Sequence, residues 1–168
     1  MRIKWALAAL AAIMVIAAIV VARSGLFDAR PVPAIAVTTL NGEQYRLDSM
    51  NGNVVLVNFW ATTCAVCIRD MPKLIDLFEK YRARGYRTVA VAMPYDPPNR
   101  VIDYVTRRSL PFDVVLDMDG AVLRAFGDVP GTPTSFLVDK SGNIVRKYLG
   151  EPDFADLEER IQEALSVQ

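Results

Sequence analysis

The chain has 168 residues, enough for one globular domain with an appendage and too few for two full domains. Nineteen basic residues balance nineteen acidic ones, and beyond residue 30 acids exceed bases by three, which argues against the basic face of a nucleic-acid binder. The absence of histidine removes Ser-His-Asp and Cys-His catalysis, histidine-bearing zinc sites and C-x-x-C-H haem attachment.

The first element is apolar. Mean hydropathy is +0.23, and the excess is concentrated in an uncharged run of 18 residues from Trp5 to Ala22. As a helix this run would span about 27 Å, close to the hydrocarbon thickness of a bilayer. Arg2 and Lys4 precede it, and positive charge stays on the cytoplasmic side. Residues 1–23 therefore predict a single-pass transmembrane anchor in the cytoplasmic membrane, with the body on the periplasmic, extracytoplasmic side. A signal peptide cleaved after Ala22 is the alternative and leads to the same side. That compartment permits disulfides. Residues 24–33, with Gly25, Pro31 and Pro33, predict a linker, and residues 34–168 the domain.

Val37 to Leu40 and Gln44 to Leu47 flank Asn41-Gly42, a hairpin signal because both turn residues tolerate positive φ. Val54 to Trp60 is a continuous β-branched and aromatic run, as in a strand buried on both faces. Cys67, Met71, Leu74, Ile75, Phe78 and Tyr81 then recur at helical spacing, with a kink expected at Pro72 and a stop at Gly85. Thr88 to Met93 predicts a second buried strand, and Asn99 a cap for a helix reaching Arg108. A short strand over Phe112 to Leu116 and a short helix over Ala121 to Phe126 follow. Thr134–Val138 and Asn143–Tyr148 predict a hairpin, and Asp153 caps a last amphipathic helix. The order predicts a three-layer α/β domain with early parallel strands and a final antiparallel pair.

Cys64-Ala65-Val66-Cys67 falls where a buried strand gives way to a helix. Unpaired N–H groups and the dipole at a helix start favour negative charge, so a cysteine there has a lowered pKa and more of the reactive thiolate. The second cysteine lies one turn deeper, within reach of the first. That arrangement suits thiol–disulfide exchange, in which one sulfur attacks and the other resolves. A structural bridge, half of a zinc site shared in a dimer, or a pair of inert core cysteines are the competing readings of the pair.

The segment Asn58-Phe59-Trp60-Ala61-Thr62-Thr63-Cys64-Ala65-Val66-Cys67-Ile68-Arg69-Asp70-Met71-Pro72 resembles the active-site region of thioredoxin-like proteins, above all the membrane-anchored TlpA/ResA-type oxidoreductases. Phe126 to Asp139, containing Val129-Pro130-Gly131-Thr132-Pro133, resembles the second motif of that family, and Val114 to Gly120 also fits. The resemblance implies a thioredoxin fold with an N-terminal β-hairpin, a central insertion and a mixed sheet flanked by helices. It implies that Cys64 attacks and Cys67 resolves, and that Trp60, Thr132 and a cis Pro133 contact substrate. Asp70 stands where the family usually has Glu and would handle protons for Cys67; a solvated helix residue is the competing reading. Asn58 replaces the buried Asp of thioredoxin, and Thr63 the second Trp common before the first Cys.

Ala65 and Val66 offer the Cys64 sulfur no charge and no hydrogen bond, so a reductase is expected rather than a strong oxidant. The resemblance implies protein disulfides as substrates, an apocytochrome c among the candidates. It also implies an electron-delivering membrane protein of the DsbD or CcdA type as donor. No cofactor and no metal are expected, and the protein is expected to be a monomer. Two other functions stay open on the same fold. A thiol peroxidase would carry Thr where Ala61 stands, and a copper metallochaperone would pair the cysteines with a distant histidine.

Overall fold

A computed structural model describes residues 30–127 and 129–167. The expected anchor and the start of the linker lie outside the described residues; among those described, no helix is long and apolar enough to cross a membrane. The end of the expected linker belongs to the domain: Arg30–Pro31 (β1) pairs antiparallel with Asn143–Leu149 (β8), and Val32 is buried.

Ala36–Thr38 (β2) and Gln44–Arg46 (β3) form the hairpin as a separate two-stranded sheet. Gly42 sits in its turn at φ +83, a conformation open to glycine without steric cost. The main sheet contains Val54–Trp60 (β4), Tyr86–Ala92 (β5), Asp113–Leu116 (β6) and Thr134–Val138 (β7), in the order β1-β8-β7-β4-β5-β6. β4 runs parallel to β5, and β5 to β6, whereas β7 is antiparallel to both β4 and β8.

β4 is buried along its whole length because both faces of the sheet are covered. Val54, Leu56 and Trp60 pack with residues of the helices Ala65–Tyr81 (α1), Pro98–Arg108 (α2) and Phe154–Ser166 (α4). Val55, Val57 and Phe59 face the opposite layer, made by the hairpin region and the short helix Ala121–Phe126 (α3). There the rings of Phe59, Phe126 and Phe136 meet edge-on or tilted, with centroids 5.3 Å apart for Phe59–Phe126 and 4.9 Å for Phe126–Phe136. This alternation is the two-residue period of a strand.

α1 continues past Pro72 to Tyr81. α2 starts at Pro98 with Pro97 at its cap position, so Asn99 is not the cap. Proline suits the first helical position, since its φ is preset and the missing N–H is one the helix leaves unpaired anyway. Asp153 caps α4 by accepting from the Ala155 and Asp156 N–H groups. The topology brings the ends of β4, β5, β6 and β8 and the start of β7 to one edge of the sheet.

Candidate active site

The cysteines sit at that edge. β4 ends at Trp60, whose carbonyl accepts from the Met93 N–H at 3.0 Å. The next turn is pinned from the β5–α2 loop: the buried Asp96 carboxylate accepts from the Thr62 N–H and, at 2.6 Å, from its hydroxyl. Cys64 then takes the N-cap position of α1 with extended backbone, and its Sγ accepts from the Cys67 N–H at 3.1 Å. A sulfur here replaces the usual capping oxygen and receives one of the helix's orphan donors. No acidic residue lies in the first turn to oppose negative charge on it. Cys64 is half-buried, Cys67 is 3% exposed, and the two are joined in a disulfide with a Cα separation of 5.2 Å.

Thr132-Pro133 forms a cis peptide bond. Thr134 pairs with Phe59, so these two residues lie alongside the turn leading to Cys64. The Pro133 carbonyl accepts from the Gly150 N–H at 2.8 Å. Thr132 is half-buried, its Oγ1 3.4 Å from the hydroxyl of Tyr95, which is 60% exposed.

Asp70 is one turn beyond Cys67 on α1, a spacing that puts both on one helix face. It is buried, not solvated, and neither carboxylate oxygen has a hydrogen-bond partner among the described residues. The Lys73 ammonium stands 3.8 Å from its Oδ1. Burial first, and then the negative charge of Glu151, push the Asp70 pKa above the ordinary carboxylate value, against the pull of Lys73. Glu151 is itself held by Arg69 at 2.6 Å and Lys73 at 2.9 Å. Asn58, also buried, donates to Ser135 Oγ at 2.8 Å.

Comparison with known proteins bears on this geometry. The Redoxin family model matches residues 28–161. A thiol-disulfide oxidoreductase ResA from Bacillus thuringiensis is 32% identical over 79% of this chain and 76% of its own. A ResA from Geobacillus kaustophilus is 33% identical over 77% and 74%. The crystal structure of a thiol:disulfide interchange protein of the thioredoxin family from Chlorobium tepidum superimposes with a TM-score of 0.72 at 29% identity, covering 83% of this chain and 99% of that one. The chain belongs to the Redoxin family. It is a thiol-disulfide oxidoreductase of the ResA type, with a thioredoxin-like fold and a Cys64–Cys67 redox pair.

Within this Redoxin domain Cys64 caps α1, Cys67 and Asp70 occupy its first two turns, and Thr132-Pro133 forms the neighbouring loop. Trp60 departs from expectation. It is fully buried, because the alternation of β4 turns its side chain beneath α1 and α2, where its ring lies 5.4 Å from that of Tyr104. It supports the site from below and has no surface to offer a substrate. Arg69 is bound to Glu151. Sequence reasoning missed Asp96, Tyr95 and Glu151. Asp96 meets Thr62 across 34 positions, and its only local signal was a place before Pro97-Pro98.

Proposed function

We propose that this oxidoreductase is a reductase of protein disulfides, held at the cytoplasmic membrane by Trp5–Ala22 with its domain on the extracytoplasmic side. The observation that carries the reading is the capping sulfur: Cys64 is accessible and receives an amide N–H, while Cys67 waits below it beside a buried carboxyl. In the reduced protein the Cys64 thiolate attacks one sulfur of a target disulfide. A mixed disulfide forms and the other target sulfur leaves as a thiolate, taking a proton from solvent. Cys67 then gives its proton to the Asp70 carboxylate and attacks Cys64 Sγ. The intramolecular disulfide forms, the second target sulfur leaves and is protonated in turn. Two electrons and two protons have passed to the substrate.

One feature supports the reducing direction. No cation faces Cys64 from its own helix turn, since Ala65 and Val66 are uncharged and Arg69 is engaged by Glu151. A thiolate with no cation on its own helix turn is less stabilised than one that has such a cation, and a less stabilised thiolate makes the dithiol more reducing. A reductase in an oxidising compartment needs electrons delivered across the membrane, the role of a DsbD- or CcdA-type donor. Cysteines of an apocytochrome c fit as substrate, and a monomer suffices for the chemistry. Equilibration of the protein with dithiothreitol and glutathione buffers tests the direction. The expected potential lies near the roughly −270 mV of thioredoxin, and one near the roughly −120 mV of DsbA would overturn the reading.

A further inference from the structure

One surface beside the cysteines is not used by the exchange chemistry. A groove of about 370 Å³ is lined by Thr62 and by Arg100, Asp103, Tyr104, Arg107 and Arg108 of α2. Thr62 is two residues before Cys64, which puts that end of the groove within about 7 Å of the attacking residue along the chain. The three arginines outnumber the single acid. Asp103 already engages Arg107 at 2.7 Å. Arg108 lies over the Tyr104 ring at 6.0 Å, and neither it nor Arg100 has a carboxylate partner among the described residues.

We infer that this groove binds an acidic segment of the substrate polypeptide, carrying Asp or Glu on one side of the disulfide to be reduced. The inference rests on the reductase reading and names the substrate class for it. Length and charge favour a peptide. Arg100 to Arg108 spans about 12 Å of helix axis at about 1.5 Å per residue, which roughly four residues of extended chain cover at about 3.3 Å each. Guanidinium groups spaced along that line suit successive carboxylates, which they bind in a forked geometry. The Tyr104 ring between them gives apolar side chains of the segment a surface. A peptide lying here reaches Thr62 with its disulfide next to Cys64.

The test uses the full-length protein, reduced beforehand, and two synthetic peptides with the same intramolecular disulfide. One is flanked by Glu and Asp, the other by Gln and Asn. The wild type should oxidise its dithiol about fivefold faster with the acidic peptide, the scale expected of one or two exposed ion pairs, and the preference should shrink as salt rises. In the Arg100→Gln/Arg108→Gln variant the ratio of the two rates should fall to about one. Arg82→Gln/Arg84→Gln removes the same charge from the turn before β5, at the far edge of the sheet, and should keep the wild-type ratio. Equal rates in the wild type, or a ratio that survives in the α2 variant, would overturn the proposal while leaving the reductase reading intact. Loss of the preference in both double variants would also overturn it, by reducing the effect to net charge. If oxidised glutathione shows the α2-arginine dependence and the acidic peptide does not, the occupant is a small anionic disulfide and the peptide assignment fails. Failure to reduce either peptide would overturn the reductase reading and the groove with it.

Discussion

Asp70 is the residue whose physics is least comfortable and most informative. A buried carboxyl with no hydrogen-bond donor loses solvation when it ionises. Its folded pKa is raised above the unfolded value, by burial first and by Glu151 second. Between the unfolded value and the raised folded value the folded state therefore holds a proton that the unfolded chain has already released, while above the folded value Asp70 is the carboxylate that accepts from Cys67; the sign of the linkage follows. Stability from this group is fully present below the ordinary carboxylate range and is lost as pH rises through the raised folded value. Asp70→Asn removes the ionisation. Urea unfolding of the two proteins between pH 4 and 8 should show the variant gaining on the wild type as pH rises, by about 1 kcal/mol at neutral pH, the scale of one unsatisfied buried group. Resolution of the mixed disulfide should slow in the same variant, because Cys67 loses its proton acceptor. A constant stability difference across the pH range would contradict the assignment.

At the scale of elements, carboxylates with no obvious sequence signal hold the loops of the active edge. Asp117, buried after β6, accepts from the Val122 and Leu123 N–H groups at 2.9 and 2.8 Å and so caps α3. Asp117→Ala should cost about 1–2 kcal/mol in a thermal or urea melt, as loss of a helix cap does, and an unchanged midpoint would show that the cap carries no stability. What was legible in the sequence and what was not divides on this point. The buried run Val54–Trp60, the Asn41-Gly42 turn and the Asp153 cap were all readable, because each is decided within a few residues by propensity, turn chemistry or period. Asp96 gripping Thr62, and Glu151 bridging Arg69 and Lys73, join positions far apart in the chain and exist only once the sheet has brought its loops together. The burial of Trp60 belongs with these. Its place at the end of a strand was clear from sequence, but the covering by α2 depends on how Tyr104 packs.

Over the whole molecule, topology assembles the site. β4 is flanked by parallel β5 and antiparallel β7, so the helix start carrying Cys64, the Asp96 loop and the Thr132-Pro133 loop converge although 30 or more residues separate each from the next. The proposed anchor would hold that edge in the compartment where target disulfides form. Full-length protein carrying Cys67→Ala cannot resolve, so it should be recovered with carbonate-washed membranes, bearing covalent partners that dithiothreitol releases. Release by the wash would contradict the anchor, and the absence of partners would contradict the exchange mechanism. The most direct measurement is the rate of alkylation of each thiol in the reduced protein as a function of pH. Cys64 should react with an apparent pKa well below the roughly 8.5 of a free cysteine, while Cys67 is protected. Two thiols that both titrate as ordinary cysteine, or two that no reagent reaches, would contradict it.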